Sequence, residues 1–209
     1  MSISPSEKVL VSIEDGIAIV TINNPAANTW DLESLPAIEA VVNELNGMAN
    51  VRALVITGQG EKFFSAGADL NQFASGDPVA AGAMGDAFGA AFETLADYRG
   101  VSIAAINGYA MGGGLEVAMA CDIRIAESHA ALALPEARVG LLPCAGGTQR
   151  LAQLVGDGWA KRMILCGERV SAEKAMTLGL VEEVVEPGTS LAAATDLAKR
   201  ASDQSPTSI

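Results

Sequence analysis

Histidine is nearly absent from this sequence. The single copy, His129, stands between Ser128 and Ala130. One imidazole cannot build a His-based metal cluster, and no HExxH motif is present. His129 reads as a surface or loop residue. Positive charge is scarce as well: 13 lysines and arginines face 25 aspartates and glutamates, for a net charge of −12. That balance argues against a nucleic-acid surface. It also means that local amides, not the global field, must hold any anionic small ligand. Cysteine occurs three times, at Cys121, Cys144 and Cys166, with no C-x-x-C pair. Such an odd set points to reduced thiols and a cytoplasmic setting. Long apolar runs are missing too. The most apolar region, 101–121, is broken by Asn107, four glycines and Glu116, so no membrane span is expected. The opening MSISPSEKVLVSIEDG lacks a charged leader followed by an apolar block, and no secretory signal is expected.

Material for a core is ample. Half of the 209 residues are hydrophobic and only 18% are charged, which suits one globular domain or one domain plus a small appendage. VLVSIEDGIAIVTINN reads as two strands around Asp15-Gly16, a hairpin signal. NPAANTWD reads as a loop. Asp31 is placed to cap a helix in which Leu35, Ile38, Val41, Val42 and Leu45 recur at helical spacing. ALVITG is a buried strand, and QGEKFFSAGADL is loop-like. Asp77-Pro78 opens a second helix, reaching about Tyr98. A strand over 101–108, a short helix over 114–120, the strand DIRIAE and the extended piece AALAL follow. The helical stretches GGTQRLAQLVG, GWAKRMILCG and SAEKAMTLG come next, then the strand LVEEVVE and the helix SLAAATDLAKRA. Alternating strands and helices predict an α/β fold with a largely parallel sheet. No internal repeat, low-complexity tract or linker interrupts it. The final SDQSPTSI follows a helix without a closing element, and so reads as a truncation.

GYAMGGGLEVAMACD, residues 108–122, places three glycines between a buried strand and a helix. Helix N-termini carry unpaired N–H groups and a partial positive charge, so bare backbone there suits a phosphate site or an oxyanion hole. The same glycines would equally serve a tight strand-to-helix turn packed on a neighbour; spacing alone leaves both open. No Lys-Ser/Thr follows, the spacing is not G-x-G-x-x-G, and no G-x-S-x-G elbow exists, which excludes a P-loop, a dinucleotide fingerprint and a hydrolase elbow. Carboxylates remain as acid–base candidates. Glu116 lies in the first turn of the apolar helix, and Glu136 lies in LALPEARVGLLP. Two glutamates in apolar surroundings can hold different protonation states near neutrality. Alone, Glu116 could be a helix-start acid stabilised by the dipole, and Glu136 an exposed loop acid.

These stretches resemble the crotonase family, the enoyl-CoA hydratase/isomerase superfamily. NNPAANTW, KFFSAGADL, INGYAMGGGLEVAMACDIRIA, LPEARVGLLPCAGGTQRL and GLVEEVVE match its blocks in order and spacing, over nearly the whole chain. The resemblance implies a core of repeated ββα units wound as a spiral over 1–190, with 191–209 beginning a C-terminal helical region. It implies that the backbone N–H groups of Ala68 and Gly113 form the oxyanion hole. It puts Ala26, Ala27, Ala66, Asp69, Leu70, Gly112 and Pro135 against substrate and coenzyme A, although Asp69 could equally be a turn or cap residue. It makes Glu116 and Glu136 the paired catalytic glutamates of a hydratase acting on a trans-2-enoyl-CoA. No metal or other cofactor is implied, since CoA is part of the substrate. The implied assembly is a homotrimer or dimer of trimers.

The alternatives are a double-bond isomerase, which can use the Glu136 position alone, and a non-catalytic acyl-CoA binder. An RNA-binding relative is disfavoured by the charge. Cys144 stands where many relatives carry glycine and reads as a packing variation, not a nucleophile. The first loop is one residue shorter than the common pattern, with Trp30 after it. Relatives also run on further, into helices that cover the acyl pocket.

Overall fold

A computed structural model describes residues 3–74 and 76–205. The chain forms ten strands and six helices among these residues. β1 (Val9–Glu14) and β2 (Ile17–Ile22) form the hairpin, turning at Asp15 and Gly16, and α1 (Ser34–Gly47) follows. Asp31 caps α1 as expected. Its Oδ1 accepts from the Ser34 N–H at 2.8 Å, its own N–H reaches Ser34 Oγ at 2.9 Å, and its carbonyl takes the Leu35 N–H at 3.0 Å. The exchange is a capping box, with serine in the returning position.

Three ββα units come next. The first is β3 (Ala53–Gly58), β4 (Phe63–Ser65) and α2 (Pro78–Ala96). The second is β5 (Val101–Ile106), β6 (Tyr109–Met111) and α3 (Gly113–Ala120). The third is β7 (Ile123–Glu127), β8 (Ala131–Ala133) and α4 (Gly147–Leu165). In every unit the first strand joins one sheet and the second strand another. β9 (Val170–Ser171), α5 (Ala172–Leu178), β10 (Glu183–Val185) and α6 (Ser190–Ser202) complete the chain. The large sheet runs β1-β2-β3-β5-β7-β10, parallel after its first pair, and the small sheet runs β4-β6-β8-β9. This is the repeated ββα spiral that the resemblance implied, built without a repeat in the sequence.

The small sheet corrects the sequence reading. QGEKFFSAGADL was expected to be loop, yet it contains β4, and β6 and β9 were not anticipated. These strands have two or three residues, too few for alternation to register. The stretches GGTQRLAQLVG and GWAKRMILCG form a single α4 kinked at Gly156.

The central strands of the large sheet are buried on both faces. On one side Trp30, Phe64, Phe92 and Leu95 pack with α1, α2 and α3. On the other, Ala194 and Ala198 of α6 lie on Ile17, Ala53, Val55, Ile103, Ala105 and Ile125. This explains why β3 is buried at all six residues, the pattern of a strand covered twice. Among the described residues, no helix is long and apolar enough to cross a membrane.

Candidate active site

Nine of the residues singled out in the sequence line one cavity of about 710 Å³: Ala66, Ala68, Asp69, Leu70, Gly112, Gly113, Glu116, Pro135 and Glu136. Ala26 and Ala27 are not in its wall. Their loop instead contributes Thr29, and the Ala27 carbonyl accepts the Ala66 N–H at 2.9 Å. Asp69 does cap, accepting from the Asn71 N–H at 3.0 Å and Nδ2 at 2.9 Å at the head of a 3-10 turn. The residue also reaches the cavity wall.

The two amides expected to face substrate are brought together by Gly67. Trp30 and Ala68 form a parallel bridge in which Trp30 bonds to the Gly67 carbonyl and the Asp69 N–H, each at 2.8 Å. In that pattern the Ala68 N–H points away from Trp30. Gly113 opens α3, where first-turn N–H groups have no partner within the helix. A Cβ on Gly67 would stand 3.0 Å from the Gly113 nitrogen, so the two backbones lie nearly in contact.

The glycine triplet has three separate reasons. Gly112 adopts φ 54°, ψ −127°, a conformation essentially closed to residues with a side chain. A Cβ on Gly113 would meet the Phe88 ring at 2.6 Å, and one on Gly114 the Ser65 carbonyl oxygen at 2.1 Å. The tight, packed turn is therefore real, and it is also what presents the helix start to the cavity.

The two glutamates sit in opposite hydrogen-bonding environments. Glu116 is buried, and its Oε1 accepts from the Ala145 N–H at 2.8 Å and the Gly147 N–H at 2.9 Å. Burial raises its pKa, while those amides and the Arg150 charge pull the other way. Both carboxyl oxygens of Glu136 are buried with no hydrogen-bond partner among the described residues. Burial, helped by the nearby Glu116 charge, pushes Glu136 up to about 7. Both carboxyls are raised by burial, but only Glu116 accepts from amides that favour its ionised form.

Cys144 also lines this cavity; the residue is exposed, but partial desolvation of its thiol and the two nearby carboxylates hold the thiol above its ordinary pKa. A thiol so protonated is no nucleophile at neutral pH. His129 lies apart, half-exposed in a second cavity, with Nε2 3.2 Å from the Glu61 carbonyl and Nδ1 3.7 Å from Glu127 Oε2.

Sequence reasoning did not find the turn 144–147 that holds Glu116, nor Arg150 beneath it. The signal was the second glycine pair, Gly146-Gly147. A Cβ on Gly147 would lie 2.7 Å from Glu116 Oε1.

The model of the enoyl-CoA hydratase/isomerase family matches residues 12–209. The short-chain-enoyl-CoA hydratase of Clostridium acetobutylicum is 38% identical over 202 residues, 96% of this chain and 77% of that protein. The crotonyl-CoA hydratase of Syntrophomonas wolfei is 38% identical over 182 residues, 87% of this chain and 70% of that protein. Among solved structures, DspI of Pseudomonas aeruginosa is 60% identical with a TM-score of 0.96, over 97% of this chain and 83% of that one. An enoyl-CoA hydratase from Bacillus anthracis is 36% identical with a TM-score of 0.92, over 96% and 78% respectively.

Proposed function

The chain belongs to the enoyl-CoA hydratase/isomerase family, and on that premise we propose that it is an enoyl-CoA hydratase working through Glu116 and Glu136. The observation that carries this reading is the pair of buried glutamates in one cavity, one held by amides and the other without donors. The thioester carbonyl of a trans-2-enoyl-CoA accepts from the N–H groups of Ala68 and Gly113. As water attacks C3, electron density moves through C2 to that oxygen, and the two amides stabilise the enolate character that develops. Glu116, ionised, takes a proton from the water as its oxygen bonds to C3. Glu136, protonated, gives its proton to C2, and the proton left on Glu116 then returns to Glu136, directly or through solvent, to restore both groups. Both groups act from one side of the alkene, so the addition is syn, and the reverse path dehydrates a 3-hydroxyacyl-CoA.

The resemblance supports a homotrimer or dimer of trimers, which light scattering on the purified protein would check. The acidic composition and unpaired cysteines support a cytoplasmic location.

The test is turnover of crotonyl-CoA, followed by loss of the enoyl-thioester absorbance. Wild type is expected to be active. Glu116→Gln and Glu136→Gln should each lower kcat by about 10²–10⁴-fold while binding of butyryl-CoA persists. Dependence on Glu136 alone, with a shifted double bond as product, would replace this reading with isomerisation. Binding of enoyl-CoA without turnover by wild type would replace it with a non-catalytic binder.

A further inference from the structure

Arg150 lies outside the cavity wall, yet it is joined to the base. Its Nη1 donates to the Ala145 carbonyl at 3.0 Å. The N–H of Ala145 donates to Glu116 Oε1 at 2.8 Å, and Gly147 adds a second donor at 2.9 Å. Gly146, between them, adopts φ 89°, a left-handed conformation that favours glycine. A Cβ there would stand 2.1 Å from Arg150 Nη1, so the guanidinium lies directly on the turn. The turn is closed from below as well, with the Arg150 N–H bonded to the Gly146 carbonyl at 2.9 Å. Among the described residues, no carboxylate forms a salt bridge with Arg150. A half-buried guanidinium without a direct anionic partner is costly. Its charge acts through space on the Glu116 carboxylate, which the Ala145 amide holds.

From this we infer that Arg150 is a positioning residue for the hydratase reaction: it fixes the 144–147 turn so that its amides hold Glu116, and its charge keeps Glu116 ionised as the base. The inference rests on the hydratase reading above. Two effects are combined in one side chain and can be separated. The hydrogen bond to the Ala145 carbonyl orients the amides and polarises them. The positive charge acts through space and does not need the planar fork. Burial raises the Glu116 pKa overall, and Arg150 is among the influences that oppose that rise.

The experiment is the pH profile of kcat/KM for crotonyl-CoA hydration in wild type, Arg150→Gln and Arg150→Lys, with butyryl-CoA affinity measured alongside. Glu116 must be ionised to act, so removing the positive charge raises its pKa and moves the acidic limb to higher pH. In Arg150→Gln that limb should move by about one unit, so kcat/KM falls roughly tenfold at a pH below it. Arg150→Lys should return the limb to its wild-type position while kcat stays reduced, because the ammonium restores charge but not the fork. Butyryl-CoA affinity should be unchanged in both. A purely structural role would lower activity equally at every pH and leave the limb in place, and that result would overturn the inference. If Arg150→Gln does not fold, Arg150→Lys decides: a limb displaced despite retained charge overturns the inference, and a limb in place with lowered kcat upholds it. An inactive wild type would instead defeat the hydratase reading itself.

Discussion

At the scale of single residues, Glu136 carries the sharpest consequence. Its pKa is raised from an ordinary 4.5 to about 7, so the folded chain binds this proton more tightly than the unfolded chain does. The stabilisation it contributes is fully present below about 4.5 and is lost as pH rises through about 7. Above that pH an ionised carboxylate sits in a desolvating site beside the Glu116 charge. Glutamine has nearly the same shape and never ionises. Glu136→Gln should therefore stabilise the protein at pH 8, by up to about 3 kcal/mol, and give no comparable gain at pH 4. Thermal unfolding at the two pH values checks this. A gain of equal size at both would show that the carboxylate is not destabilised by its surroundings. In catalysis the same shift has the opposite sign of benefit, because a carboxyl still protonated near neutrality can serve as the acid.

At the scale of elements, α3 and the small sheet make the site. The helix begins at Gly113 because Gly112 takes a glycine-only conformation, and it can lie against β4 because Gly114 brings no side chain to the Ser65 carbonyl. Gly114→Ala would place a Cβ 2.1 Å from that oxygen. The variant should lose about 1–3 kcal/mol of stability, seen as a lower urea midpoint, and most of its hydration rate. An unchanged midpoint would mean that α3 is free to shift.

How much of this was legible beforehand differs between elements. The long strands and helices announced themselves by apolar periodicity, and Asp31 and Pro78 marked helix starts. The small sheet did not, because Phe63–Ser65 and Tyr109–Met111 are each shorter than one readable alternation. Glu116, Glu136 and the triplet stood out as polar or bare positions in apolar stretches. The hold on Glu116 did not, because it comes from backbone N–H groups at positions 145 and 147, which every sequence has. Ala26 and Ala27 were placed by block resemblance, and their loop meets the cavity at Thr29 instead.

At the scale of the whole molecule, an acidic protein with a net charge of −12 is expected to receive an anionic thioester. Long-range attraction cannot account for that. In the proposed mechanism the work falls to local dipoles: the amides of Ala68 and Gly113 for the carbonyl, and those of Ala145 and Gly147 for the charge on Glu116. The ββα spiral gathers these from three separate units, and α6 closes the far face of the sheet they hang from.

The central claim is that one glutamate activates water for C3 while the other protonates C2 from the same side. Its most direct test is hydration of crotonyl-CoA in D₂O, with the product read by NMR. The account predicts a single deuterium at C2, syn to the new hydroxyl at C3, and its loss in Glu136→Gln. Deuterium anti to the hydroxyl, or appearing at C4 with a migrated double bond, would contradict it.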